Sequence, residues 1–97
     1  MCEFKIIKQN DGSQILEDIV VLTYTDNNEL LFKDILGMGE SLESALIMSV
    51  NTLNQQCIVL EHPIIKDFMK LLKKISTNEL TNSDIVEFSN ELTKLKS

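Results

Sequence analysis

Tryptophan is absent from this 97-residue sequence, and tyrosine occurs once, at Tyr24. Proteins that bind single-stranded RNA stack its bases on aromatic rings, and they attract its phosphates with basic side chains. Here nine basic residues stand against fifteen acidic ones, and the resulting net charge of −6 repels a phosphate backbone. We therefore expect no general nucleic-acid binding.

Cysteine is also scarce, since only Cys2 and Cys57 occur. The first residues do not form the basic and apolar regions of a secretion signal, and no apolar run approaches the roughly 18 residues of a membrane span. We expect a cytoplasmic protein without a membrane segment. Free thiols are then a better expectation than a structural disulfide.

Motifs for catalysis and nucleotide binding are missing as well. The sequence contains no Walker, Rossmann or CxxC pattern. Asp34 and the Glu17-Asp18 pair have no nucleophile, histidine or spaced carboxylate with which to form an acid–base site, so we interpret them as turn and bulge residues. We expect a protein that is not an enzyme.

Short apolar and β-branched runs separated by turn residues dominate the first 61 positions. An Asp-Gly turn follows the first run, and the Glu17-Asp18 break within the second indicates a bulge or bend. Residues 40–48 have helical propensity, but the neighbouring segments read as strands, so both interpretations stay open. Predicted strands lie around Phe4–Ile6, Ile15–Tyr24, Leu30–Leu36, Ile47–Leu53 and Cys57–Glu61.

From His62-Pro63 onward the apolar period becomes helical. Pro63 suits a first helical turn, and Thr81 with Asp84 forms a capping-box start for a second helix. The first helix has a broad apolar face and the second a narrower stripe. The apolar residues are Ile64, Ile65, Phe68, Met69, Leu71, Leu72 and Ile75 in the first helix, and Ile85, Val86, Phe88, Leu92 and Leu95 in the second.

These patterns predict a mainly β protein with C-terminal helices. Residues 1–61 are expected to form a small antiparallel β-barrel or rolled sheet, and residues 62–97 a helical hairpin. The broad face of the first helix needs a cover, which is either the chain's own sheet or a second chain. We favour a homodimer.

Four stretches together resemble the CooT family of small proteins. They are Met1-Cys2-Glu3, Leu16-Glu17-Asp18-Ile19, Lys33-Asp34-Ile35-Leu36-Gly37 and Cys57-Ile58-Val59-Leu60-Glu61. The resemblance covers residues 1–61 and leaves the helical segment outside the family core. It implies a small β-barrel-like fold, a homodimer, and nickel binding during maturation of carbon monoxide dehydrogenase, with Cys2 as the metal-binding position. Some members of the family have instead been described as RNA-binding.

Cys2 offers suitable chemistry for this role. Removal of Met1 would give Cys2 both a thiol and an α-amine, with pKa values of about 8.5 and about 7.7–8.0, so a metal can displace both protons near neutral pH. Ni(II) also accepts a deprotonated backbone nitrogen such as that of Glu3, and a twofold axis would double the ligand count. Zn(II) and Cu(II) accept similar donors, so the sequence does not select the metal.

Two functions are therefore open. The first is a nickel-binding accessory protein, resembling a metallochaperone, that binds Ni(II) through Cys2 and Glu3 at a homodimer interface and supplies a client metalloenzyme. The second is a non-catalytic RNA- or protein-binding module in which Cys2 is incidental. Cys57 is expected to be a small buried hydrophobe, and His62 a surface or capping residue or an accessory ligand.

Overall fold

The computed structural model describes residues 3–96 and shows a mainly β protein with two C-terminal helices. The strand order in the sheet is β4-β3-β2-β1-β6-β5. Neither helix over these residues has the length or the continuous apolar stretch that crossing a bilayer requires. The elements are β1 (Phe4–Lys8), β2 (Gln14–Tyr24), β3 (Leu30–Asp34), β4 (Gly39–Leu42), β5 (Ala45–Asn51), β6 (Gln56–Glu61), α1 (Pro63–Ser76) and α2 (Asn82–Lys94).

One pair of strands breaks the predicted antiparallel arrangement. β1 and β6 are parallel, with Lys5 opposite Gln56 and Lys8 opposite Val59, whereas the other neighbouring strands are antiparallel. A parallel pair requires a long crossover, which β2 to β5 supply. The prediction of a fully antiparallel sheet is therefore wrong at this pair.

The sheet curls but is not closed into a barrel, since β4 and β5 are the end strands of its order. The Tyr24 hydroxyl, at the end of β2, donates to the Ala45 carbonyl oxygen at 3.0 Å and accepts from the Ile47 amide at 3.2 Å. Ala45 and Ile47 belong to β5, three strands away from β2, or about 14 Å across a flat sheet. A tyrosine spans that separation only because the sheet curls.

The bulge predicted at Glu17-Asp18 is confirmed. Asp18 has a φ of 58°, and the pairing register shifts between Ile19 and Val21. The ambiguous segment 40–48 forms β4 and β5, so the strand interpretation is confirmed there and the helical one is wrong. The core lies inside the curled sheet and consists of Ile6, Ile19, Leu30, Phe32, Ala45, Cys57 and Val59.

α1 follows β6 directly and is fixed at its first turn. His62 is its N-cap residue, and Ser44 Oγ donates to the His62 carbonyl at 2.6 Å and accepts from the Lys66 amide at 2.9 Å. Ile65 is the one residue of α1 that is fully buried. The rest of the helix therefore depends on α2 for cover.

α1 and α2 form the predicted antiparallel hairpin. Lys74 Nζ forms an ion pair with Asp84 Oδ1 at 2.8 Å, and the ring centroids of Phe68 and Phe88 are 5.8 Å apart. The side chains of Asp67 and Glu91 share a hydrogen bond. Early residues of one helix thus meet late residues of the other. The hydrogen bond from Asp67 raises the pKa of Glu91.

The predicted capping box at the start of α2 is confirmed. The Thr81 hydroxyl accepts from the Asp84 amide at 3.2 Å, and Asp84 Oδ2 accepts from the Thr81 amide at 3.0 Å. The Lys74 ammonium and these Thr81 groups lower the pKa of Asp84 from 3.8 to about 2. The ionised carboxylate therefore stabilises the folded hairpin.

This lowered pKa predicts a pH-dependent effect of Asp84→Asn. A carboxyl group whose pKa is lower in the folded protein than in the unfolded one stabilises the folded state. For Asp84 this stabilisation is complete above the unfolded pKa of 3.8, and it is lost as the pH falls through the folded pKa of about 2. The melting temperature of Asp84→Asn should thus lie below that of the native protein above pH 4, and the gap should close by pH 2. Circular dichroism melts measure it, with the exposed Glu87→Gln as the control. A gap that is constant with pH would contradict the assignment.

Candidate functional site

β1, the first strand of the chain, lies in the middle of the sheet. Phe4, the first residue of β1, pairs with Ile19 of β2, and the Lys5 amide donates to the Gln55 carbonyl oxygen at 2.9 Å. Glu3 directly precedes the strand and is half-buried. The predicted ligand Cys2 lies outside the described residues. Glu3 therefore lies one residue beyond the Phe4–Ile19 pair and close to the β5–β6 turn.

Two of the stretches that resemble the CooT family pair with each other at this point. Ile19 pairs with Phe4 on one side and with Asp34 on the other, and the Asp18 carbonyl oxygen accepts from the Ile35 amide at 3.1 Å. The second and third stretches are therefore hydrogen-bonded neighbours, and both lie close to Phe4, the residue that follows the first stretch. The fourth forms β6, whose first residues lie beside β1.

Asp34 shapes the turn beside this site. Its Oδ1 accepts from the amides of Leu36 and Met38, each at 2.9 Å, and Gly37 takes a φ of 85° between them. A positive φ at this position favours glycine. The predictions that Asp34 is a turn residue and that Glu17-Asp18 forms a bulge are confirmed, because these residues organise the backbone.

Two turns present apolar side chains on either side of the chain start. Leu36 on the β3–β4 turn is 82% exposed, and Leu53 on the β5–β6 turn is 96% exposed. A shallow groove of about 470 Å³ runs beside the first turn and is lined by Leu16, Glu17, Asp18 and Ile35 among others. The groove beside the β3–β4 turn thus combines carboxylates with exposed apolar groups.

Glu3 retains an available carboxylate. It makes no side-chain hydrogen bond or ion pair with the other residues in the range 3–96. Its position ahead of β1 also leaves it outside the strand. The donor set expected from the sequence is the Cys2 thiolate and α-amine with the backbone nitrogen of Glu3, which Ni(II), Cu(II) or Zn(II) can accept.

Cys57 is a core residue, as predicted. It is fully buried in β6, opposite Ile6 of β1 and Val50 of β5. Burial raises the pKa of its thiol. A metal binds the thiolate, which this environment disfavours, so Cys57 is a structural cysteine.

His62 is a capping residue, which confirms that part of its prediction. Its Nδ1 accepts from the Ile64 amide at 3.1 Å. It follows Glu61 at the far end of β6, whereas Glu3 lies near Gln55 before that strand begins, so about 20 Å of strand separates them. His62 is therefore too far from Glu3 for the two residues to bind the same metal ion.

A second groove lies at this far end and was not predicted from the sequence. It has a volume of about 560 Å³ and is lined by Lys8, Asn10, Ser44, Glu61 and His62 among others. Its polar groups pair with one another: Lys8 Nζ lies 3.0 Å from Glu61 Oε1, and the Asn10 side chain bonds the Glu61 backbone at 2.9 and 3.0 Å. These contacts join β1 and the turn that follows it to the end of β6, which gives the groove a structural role.

Comparison with models of known protein families gives no match, and comparison with curated proteins gives none either. The described range 3–96 also contains no group of three or more His, Cys, Asp or Glu side chains arranged to bind a metal ion. The assignment of a function to this chain therefore depends on the four stretches and on their position in the fold.

Proposed function

We propose that this protein is a cytoplasmic, non-catalytic accessory protein that binds Ni(II) through Cys2 and Glu3 as a homodimer and supplies a metalloenzyme. The resemblance to the CooT family makes carbon monoxide dehydrogenase the client. We also propose that the curled sheet of this chain corresponds to the small β-barrel-like fold of that family.

The observation that supports this function best is the pairing of two of the family-like stretches beside Phe4, the residue that follows a further one, Met1-Cys2-Glu3. Phe4, Ile19 and Asp34 lie side by side on three neighbouring strands. β1, which follows Glu3 directly, is an inner strand paired on both sides, so the backbone next to the proposed ligands has a fixed place in the sheet.

In this proposal each residue has one task. The Cys2 thiolate and α-amine chelate the metal in a five-membered ring, and the deprotonated backbone nitrogen of Glu3 is a further donor. A twofold axis presents the same donors from the partner, so the two Cys2 chelates alone give four donors and the two Glu3 nitrogens bring the number available to six. Ni(II) is the cargo in this scheme, and Zn(II) and Cu(II) are the ions with which it would compete.

Titration with Ni(II) tests the proposal. We expect the native protein to develop near-ultraviolet thiolate-to-nickel charge-transfer absorption, saturating at one ion per dimer, and the Cys2→Ser variant to develop none. Cys57→Ser is the matched control and should bind as the native protein does, because Cys57 is buried. Equal absorption in native and Cys2→Ser protein would overturn the proposal and favour the binding-module alternative.

A further inference from the structure

The two helices leave an apolar surface open on one side of the hairpin. We name this surface the open hairpin face, and its five residues are between 46 and 50% exposed. They are Phe68, Leu72 and Ile75 on α1 and Ile85 and Leu92 on α2.

The spacing of these residues matches that of a helical bundle. Phe68, Leu72 and Ile75 follow one another at intervals of four and three residues, and Ile85 and Leu92 are seven apart. Such intervals place side chains along one stripe of a helix that packs against neighbouring helices. Half-exposure along both stripes means that each side chain is covered on one side and lacks cover on the other.

The chain also has more surface than a monomer of its size. Its accessible surface is 6736 Å², whereas a monomeric protein of 11.0 kDa exposes about 5600 Å². Its radius of gyration is 15.5 Å, against about 12.5 Å for a compact chain of this length. The excess of about 1100 Å² exceeds the roughly 800 Å² that each partner buries in a standard interface.

The charges of the two helices indicate which partner fits. α1 has four lysines and one aspartate, whereas α2 has three acidic residues and one lysine. Each of Lys66, Lys70 and Lys73 lies two residues before a member of the open hairpin face, or about 200° around α1. Lys74 pairs with Asp84 of its own chain. The open hairpin face therefore lacks these charges and fits an apolar surface, which the same face of a second copy provides in an isologous dimer.

We propose that the open hairpin face binds the same face of a second copy, so that two hairpins form a four-helix bundle. This inference deepens the homodimer of the proposed function by locating its stable contact. α1 begins after the end of β6, whereas Glu3 lies near the residues before β6 begins. The contact between hairpins therefore does not include the proposed metal ligands, and we expect it to form without metal.

Sedimentation velocity of the metal-free full chain over a dilution series tests this interface. We expect the native protein to sediment as a dimer with twice the 11.0 kDa chain mass. Leu72→Glu and Leu92→Glu, one on each helix, should shift the dissociation constant at least about tenfold toward the monomer, because each places a carboxylate in an apolar contact.

Val86→Glu is the matched control. Val86 is 57% exposed and lies about 100° around α2 from Ile85, away from the open hairpin face. It should remain dimeric, and circular dichroism should show native helix content in all three variants. If one of the two interface variants unfolds, the other still provides the comparison.

Two results would overturn the interface. One is a monomeric native protein, and the other is a dimer that Leu72→Glu and Leu92→Glu leave intact. Cys2→Ser should keep the metal-free dimer, so its loss would place the contact at the chain start instead. Failure of nickel binding with an intact hairpin-dependent dimer would reject the proposed function alone, which keeps the two tests separate.

Discussion

A Gly-Ser extension ahead of Cys2 is expected to weaken Ni(II) binding at least about 100-fold. The extension converts the α-amine of Cys2 into an amide, which removes the amine–thiolate chelate. Loss of a second-shell partner already costs about 10- to 100-fold in metal affinity, so the loss of a direct ligand should cost more. Competition with a chromophoric nickel chelator measures the affinity.

The matched control carries the same Gly-Ser pair after Ser97, where the net charge and the added mass are identical and the chain start is native. Its nickel affinity should equal that of the unextended protein. If both extended proteins bind Ni(II) as tightly as the native chain, the α-amine is not a ligand and the chelate is wrong.

The Phe32→Ala variant should lose about 3–5 kcal/mol of unfolding free energy, the largest stability effect that we expect from a single residue. Phe32 is fully buried in β3, the strand next to the edge strand β4, and belongs to the core inside the curled sheet. Truncation removes its apolar area and leaves a cavity that the surrounding strands cannot fill. Urea unfolding at one fixed protein concentration measures the loss, because dimerisation makes stability concentration-dependent.

Two further variants calibrate this result. Leu53→Ala truncates a side chain that is 96% exposed, so its unfolding free energy should stay within about 0.5 kcal/mol of the native value. Phe32→Leu keeps most of the volume and should lie between the native protein and Phe32→Ala. A loss below about 1 kcal/mol for Phe32→Ala would contradict the position of Phe32 at the centre of the core.

Local chemistry made much of this fold predictable. The Glu17-Asp18 break, the Asp-Gly turn and the Thr81–Asp84 capping box depend on residues close in sequence, and the structure confirms each of them. Five residues separate α1 from α2, as expected for an antiparallel hairpin.

Long-range pairing was less predictable. The parallel pairing of β1 with β6 depends on which strands become neighbours after about fifty intervening residues, and no local pattern specifies it. The Tyr24 hydroxyl bonds to β5 depend on the curl of the whole sheet. The strand β5 overrides the helical propensity of its residues because Ala45 is buried in the core and Leu46 pairs with Leu60.

For the candidate site as well, local roles were predictable from the sequence and long-range arrangement was not. The roles of Asp34, Cys57 and His62 were predictable because turn, core and capping positions have local signals. The pairing of two family-like stretches beside Phe4 was not, since it requires the strand order. The nickel chelate at Cys2 stays a prediction, because Cys2 lies outside the described range.

Native mass spectrometry of the full chain with its natural N-terminus tests the central claim most directly, because one spectrum reports Met1 removal, chain count and bound metal together. After incubation with Ni(II), we predict a dimer that lacks Met1 on both chains and retains one nickel ion, and a Cys2→Ser dimer that retains none. Nickel retained equally by the Cys2→Ser protein, or absent from the native one, would contradict the account.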